Sequence, residues 1–357
     1  MTTSERTRSA LAGMCAGDAA AWSSWWHRLG VLPPRRSVRL GEAVRHSHAL
    51  GSTSLPTPYL QSTPPDVIDP AGPADDVEWF VVSLRHHLGQ RLDGAPAGEE
   101  HSVWTELSGQ HAREPGTVRA RLGTLMALEN LAAGMTPPQS GNDNAHYFDD
   151  IACVRAVAAA VLRPGDPRGA ADLADADARI THALDGVDGA RATAALLAVL
   201  LGGGDRADAV DVAVRELPPG GWCANVVAEC LAVGPAAPLP LAARLERDVV
   251  DHVYAFANQA PETLGLLLAH LAAARTGEEL LLGAFAHPRH ADALVPLAGT
   301  VAGAAFGDPS AGADLPVLTG TSVRALAGLA VEDVLGEIDA AQAGRSADRS
   351  AVVGEGR

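Results

Sequence analysis

Cysteine is scarce. Cys15, Cys153, Cys223 and Cys230 are scattered through 357 residues with no CxxC pair and no small-domain disulfide rhythm, so they read as buried thiols rather than a covalent framework. Long apolar runs are missing too. No stretch approaches the roughly eighteen uninterrupted apolar residues of a membrane span, and Met1 to Ala10 carries Ser, Thr, Glu and Arg where a signal peptide needs an apolar segment. A cytoplasmic protein with no membrane partner is expected. Positive charge is in deficit: the formal net charge is −16 and the pI near 5.2. A polyanion would be repelled over most of such a surface, which excludes general nucleic-acid binding unless a local basic patch outweighs the field. The Lys-poor, Ala-rich composition carries no function of its own. GxxxxGK[ST], GxGxxG between strand and helix, HExxH and GxSxG are all absent, leaving nucleoside-triphosphate, dinucleotide, zincin and hydrolase-elbow chemistry without support.

What is present is core-forming material. Apolar residues make up 47% and charged residues 20%, ordinary globular usage, which excludes disorder throughout. Apolar positions recur at helical spacing over Ser9 to Ser24, Asp76 to Arg91, Val118 to Ala133, Asp149 to Leu162, Pro167 to Leu184, Gly189 to Leu201, Arg206 to Glu216, Ala224 to Ala232, Pro238 to Tyr254, Ala260 to Arg275, Gly277 to Ala286 and Ala291 to Phe306. Gly and Pro clusters separate them, including Pro64-Pro65, Pro137-Pro138 and Leu217-Pro-Pro-Gly-Gly221. Alternating β patterns are rare, so an all-α compact multi-helix bundle is expected. No spacing repeats with the same residues, which predicts one helical domain over 1–340. Residues 341–357, small and polar, are read as a flexible tail. Arg35 to Pro73 and Asp93 to Thr117 are poorly patterned and are read as long loops, a class often functional.

Four local clusters carry candidate chemistry. In Pro73-Ala-Asp-Asp-Val-Glu-Trp79 two adjacent carboxylates open an apolar helix. Asp75 as an N-cap with Asp76 and Glu78 in the first turn is one reading; a metal or acid/base site is the other. In His290-Ala-Asp-Ala293, Asp292 can likewise be a cap, with Gly299 and Gly303 serving close helix packing. Thr181-His182 ends a helix, where a lone His more often caps or packs than binds a ligand. Gly141-Asn-Asp-Asn-Ala-His-Tyr-Phe-Asp-Asp150 is either a sugar- or phosphate-lining loop or a run of Asx turns.

The order and spacing of these pieces resemble the ADP-ribosylglycohydrolase family. Leu11-Ala-Gly-Met-Cys-Ala-Gly-Asp-Ala19 is similar to its opening helix, Ala74-Asp-Asp-Val-Glu-Trp79 to its TDDT motif, Thr181-His182 with Asp188-Gly-Ala190 to its central TH segment, and Pro261-Glu-Thr263 with His290 to Ala304 to its C-terminal DxDT run. The resemblance spans about Ser9 to Gly307. Gly51 to Pro58 and Asn142 to Asp150 resemble a divergent branch.

The resemblance implies a bundle with two divalent cations, usually Mg²⁺ or Mn²⁺, that hold ribose hydroxyls and water while the bond from ADP-ribose is hydrolysed. Hard cations suit clustered carboxylates. Carried over residue by residue, Asp75, Asp76, Asp292 and His290 are the metal positions, Glu78 and Asp76 the catalytic candidates, and Asn142, His182 and Trp25 the substrate contacts. The match is incomplete. Ala74 and Val77 replace threonines, Ala293 replaces a ligand threonine, His290 replaces an Asp, and Trp25 falls at the gating Glu. One ion or none is therefore expected. Two readings follow: a metal-assisted hydrolase of a ribosyl or ADP-ribosyl N- or O-glycoside, and a catalytically degenerate relative that binds a nucleotide-sugar or a protein partner.

Overall fold

Alanine and leucine fill the periodic segments, and both favour helix over strand. The computed structural model describes residues 1–28, 75–98, 102–254, 256–287, 289–307 and 314–354, with only the backbone described over 22–28 and 346–354. Within them lie fifteen α-helices. They are α1 (Thr3–Arg28), α2 (Asp76–His87), α3 (Val103–Arg113), α4 (Leu122–Ala132), α5 (Gln139–Asn142), α6 (Ile151–Leu162), α7 (Pro167–Thr181), α8 (Leu184–Leu201), α9 (Arg206–Glu216), α10 (Trp222–Ala232), α11 (Pro238–Asp248), α12 (Ala260–Ala273), α13 (Gly277–Phe285), α14 (Ala291–Phe306) and α15 (Val331–Gly354). Among the described residues extended pairing is limited to isolated bridges such as Val118 with Val323. The all-α expectation is met.

The most extensive helix pairing joins the first helix to the fourteenth. Its cause is glycine. A Cβ on Gly13 would overlap the Gly299 carbonyl, and one on Gly299 would overlap the carbonyl of Gly13. Gly17 faces the backbone of Val295 and Pro296, and Gly303 faces that of Ser9. Close backbone approach of this kind is open only to residues without a side chain. It places Asp18, one turn beyond Gly13, near the N-terminus of α14.

Helix α6 lies at the centre, buried over its whole length, with α2 and α8 packed on it and α7 alongside. Beneath the N-terminus of α2 a polar network joins four helices. Asp177 of α7 accepts from Ser83 Oγ at 2.8 Å, Trp104 Nε1 at 3.2 Å and Arg155 Nε at 2.9 Å. The Arg155 guanidinium lies 4.8 Å from the Trp104 ring, which stacks on Trp79. A buried pair is tolerated where its remaining hydrogen bonds are met.

Two stretches differ from expectation. Asp93 to Thr117, read as a loop, holds α3, whose start is fixed by a capping box: Ser102 Oγ accepts from Thr105 N, and Thr105 Oγ1 accepts from Ser102 N. Helix α15 runs as far as Gly354, into the stretch read as a tail. The other long loop, Arg35 to Pro73, and Gly51 to Pro58 within it lie outside the described residues.

Candidate active site

Three helix N-termini converge. Asp76 is the first residue of α2, Asp150 the N-cap of α6, and Asp292 sits in the first turn of α14. Asp18 arrives from α1 and Asp75 from the residue before α2. All five carboxyl groups are buried. Helix N-termini favour negative charge, which accounts for acidic residues at each end but not for burying five together.

Asp75 and Asp292 are not ordinary caps: neither the Asp75 side chain nor that of His290, the α14 N-cap, makes a capping bond. The orphan donor of α2 is met from elsewhere, by Asp18 Oδ2, which accepts from Val77 N at 3.0 Å. Asp75 Oδ1 and Asp76 Oδ2 are buried with no hydrogen-bond partner.

The charge at the centre is partly offset by Arg121, which the sequence reading did not single out. Its Nη1 donates to Asp150 Oδ1 at 2.6 Å, and its Nη2 donates to Asp76 Oδ1 at 3.1 Å and Asp292 Oδ2 at 3.0 Å. Thr263 Oγ1 of α12 donates to the second oxygen of Asp150 at 2.7 Å. Arg121 stands at the extended N-cap of α4, on a connector pinned by Arg119 N to Ser322 O and by the Val118 bridge to Val323. No local pattern marks it, because its partners lie 29, 45 and 171 positions away.

One guanidinium against five carboxyls leaves excess negative charge. Burial, and then the neighbouring Asp292, push the Asp75 carboxyl up to about 8 against the pull of Arg121. Burial also raises Asp76, opposed by Arg121, and raises Asp18, reinforced by Asp75 and opposed by the Val77 N–H.

Glu78 does not face this centre as a free base. Its carboxylate accepts from three backbone N–H groups, Thr321 at 2.7 Å, Ser322 at 2.8 Å and Val323 at 2.7 Å. Its role as a catalytic candidate gives way to one of fastening the 320s loop to α2. His182 is fully buried. Its Nδ1 lies 2.7 Å from Thr181 Oγ1 and its Nε2 2.8 Å from Asp149 Oδ1. Burial would raise Asp149, but His182, Arg121 and the Ile151 N–H hold it below the ordinary carboxylate range. Both ring nitrogens of His182 are thus engaged, and the Nε2 contact ties the ring to the Asp149-Asp150 turn. Asn142 is exposed, and Asn144 is the residue that turns inward, donating to Gly123 O and Thr181 O at 2.8 Å each. The side chain of Trp25 lies outside the described residues.

The divalent pair implied by the resemblance needs several oxygen donors, and beyond the unpartnered Asp75 Oδ1 and Asp76 Oδ2 the donors at the centre are engaged by Arg121 or missing. Asp76 Oδ1 and Asp292 Oδ2 both receive Arg121 Nη2, while Ala74, Val77 and Ala293 offer no side-chain oxygen. His290 Nε2 is held by Glu262 Oε2 at 2.6 Å, leaving its buried Nδ1 without a partner. Among the described residues no three His, Cys, Asp or Glu side chains come together to hold an ion. The residues present do not fit a divalent pair.

Beside the carboxylates lies an aromatic cluster. Asp150 N donates to Asn258 O at 2.8 Å and Ala260 N to Phe148 O at 2.9 Å, so the 148–150 and 258–260 segments run together. Phe148 meets Trp222 and Tyr254 edge-on at 5.4 and 5.5 Å, and Tyr254 meets Phe256 at 5.7 Å. His146 Nδ1 lies 3.0 Å from Tyr254 Oη. Phe256 and Trp222 keep about two-fifths of their surface open, 41% and 39%, which leaves ring faces for a ligand.

A family model described as ADP-ribosylglycohydrolase matches residues 1–337. A solved structure titled "ADP-ribosylglycohydrolase-related protein complex" has the same fold, with a TM-score of 0.54 and 19% sequence identity over 95% of this chain and 96% of that one. No curated protein matches.

Proposed function

Since the chain belongs to the ADP-ribosylglycohydrolase family, we propose that it hydrolyses a ribosyl or ADP-ribosyl glycosidic bond at the centre formed by Asp18, Asp75, Asp76, Asp150, Asp292 and Arg121. The family acts on ADP-ribosyl-type bonds and is generally dependent on divalent metal. Because the residues here do not fit that pair, the reading rests on the carboxylates themselves.

Glycoside hydrolysis without a metal needs two carboxyl groups in opposite states, one protonated to release the leaving group and one charged beside the anomeric carbon. The observation that carries the reading is an asymmetry of that kind. Asp75 has a buried oxygen with no partner and a carboxyl pushed up to about 8, so near neutral pH it holds a proton to donate. Asp292 is ion-paired to Arg121 and supplies negative charge to a developing oxocarbenium-like carbon or a water; Asp76, raised by burial as Asp75 is, stands outside this asymmetry. The substrate would be a small nucleotide-sugar or an ADP-ribosylated molecule, its adenine stacking on Tyr254, Phe256 or Trp222.

The test is release of ADP-ribose, read by mass spectrometry, from an ADP-ribosylated peptide and from a small ADP-ribosyl ester. Wild type is expected to turn over at least one, and Asp75→Asn to lose about a hundredfold in rate. Equal activity in Asp75→Asn would sink the acid assignment. A second reading, a binding protein without turnover, is favoured by the bonding of Glu78 to three N–H groups, which removes a ready base. It predicts saturable ADP-ribose binding, no hydrolysis and no effect of Asp75→Asn on affinity.

A further inference from the structure

The position of Arg121 is unusual for a surface-derived side chain. It leaves the connector before α4, enters a centre where every partner is buried, and reaches carboxylates on three helices. A single nitrogen, Nη2, lies 3.1 Å from Asp76 Oδ1 and 3.0 Å from Asp292 Oδ2. It thus sits between carboxylates of the first and last acidic motifs and occupies one oxygen of each. Nη1 meets the third carboxylate, Asp150, whose other oxygen is already satisfied by Thr263.

A divalent ion and this guanidinium compete for the same oxygens and repel one another at close range. The anchorage of the connector matters here. Arg119 is bonded to Ser322 in the loop that Glu78 holds through three N–H groups, so the arm bearing Arg121 is fixed at its base. Guanidinium is also the cation suited to permanent service, since it stays charged under all physiological conditions and presents planar paired donors to carboxylates.

We propose that Arg121 is the resident cation of this centre, standing in the place of a divalent ion and excluding it. The carboxylates of Asp76, Asp150 and Asp292 are organised by a covalently attached charge.

The experiment is titration of the purified, chelator-treated full-length chain with Mn²⁺ alone. Free Mn²⁺ is followed by electron paramagnetic resonance, and thermal unfolding is measured in parallel. Wild type is expected to take up no stoichiometric Mn²⁺, and its midpoint to be unmoved by Mn²⁺ or chelator. Arg121→Ala leaves the carboxylates uncompensated and is expected to bind Mn²⁺ at least about tenfold more tightly than wild type, with a midpoint that rises with Mn²⁺ concentration. Arg121→Lys keeps a cation and is expected to continue excluding Mn²⁺. The proposal is overturned if wild type binds one or more Mn²⁺ that Asp76→Asn and Asp292→Asn remove. It is equally overturned if folded Arg121→Ala gains no affinity. Should Arg121→Ala stay unfolded with and without Mn²⁺, the wild-type and Arg121→Lys titrations decide: exclusion by both supports the proposal, uptake by either overturns it. The readout is ion binding, so its failure is distinguishable from failure of the hydrolase reading.

Discussion

Asp75 concentrates the electrostatic tension of the centre, because its neighbours Asp76 and Asp292 have Arg121 and it has a bare buried oxygen. Its carboxyl is raised from an ordinary 3.8 to about 8 by burial and Asp292. The folded chain therefore holds that proton more tightly than the unfolded chain. The stabilising contribution is complete below the unfolded value and is lost as pH rises from about 4 to about 8, with a slope of up to about 1.4 kcal/mol per pH unit. Asp75→Asn, isosteric and neutral, should flatten this slope and be more stable than wild type at pH 8 by on the order of a few kcal/mol. Denaturant unfolding across that range checks it, and parallel curves would contradict the assignment. At the aromatic cluster, Tyr254→Ala should weaken an adenine-bearing ligand about fivefold while leaving ribose 5-phosphate affinity unchanged, as calorimetric titration of the two ligands would read.

Helices were the readable part of the sequence. Arg206 to Glu216 and Ala291 to Phe306 coincide with α9 and α14 to the residue, because Asp205 caps the one and glycine follows the other. Helix α3 was hard to read from periodicity, since its apolar stripe is short, Val103, Trp104 and Leu107, and the rest of the helix is polar, while a Ser-Thr capping box marks its start. The acidic motifs at Asp75, Asp76 and Asp292 were legible because each opens a helix. Their shared counter-ion was not: Arg121 lies outside every motif and only the packing of α2, α6 and α14 brings its partners to it. His182 and Glu78 stood out as polar residues in motifs, and the structure engages Glu78 with backbone N–H groups and His182 with the side chains of Thr181 and Asp149. The α1–α14 crossing carries a direct test. Gly13→Ala or Gly299→Ala should cost on the order of 3 kcal/mol by overpacking. Gly336→Ala, in α15 with nothing near its Cβ position, should be neutral or gain up to about 1 kcal/mol. Thermal unfolding of the three variants, with equal losses at all of them, would remove the glycine argument.

Across the whole molecule, buried charge sets the acid limit. Against the cost of burial, His287, His290 and His252 hold Glu246 at about 2, well below its ordinary 4.5. His287 Nδ1 lies 2.6 Å from it, and His270 Nε2 lies 2.9 Å from His287 Nε2. Burial, with His287 beside it, depresses His270 to about 2. Both shifts have the same sign of consequence: the unfolded chain takes up protons that the folded chain refuses. Between about pH 6.5 and 4 the loss through His270 runs against the gain through Asp75, and from about 4.5 to 2 Glu246 adds its own loss, so stability should fall steeply over that last range. A pH series of unfolding midpoints of wild type and Glu246→Gln reads this directly, and curves that stay parallel from about pH 5 to 2 would refute it. Among the described residues no helix is long and apolar enough to cross a membrane. The crossing of α1 on α14 also has a meaning in time. As the chain emerges during synthesis, Asp18, Asp75, Asp76, Arg121 and Asp150 are all made before Asp292, and the glycine seam that seats α1 does not yet exist. A nascent chain therefore carries an incomplete acidic centre and an uncovered first helix until its fourteenth helix appears. Closing a contact across nearly three hundred residues is slow, which makes this chain a candidate client for chaperones that shield the amino-terminal helix while the ribosome finishes.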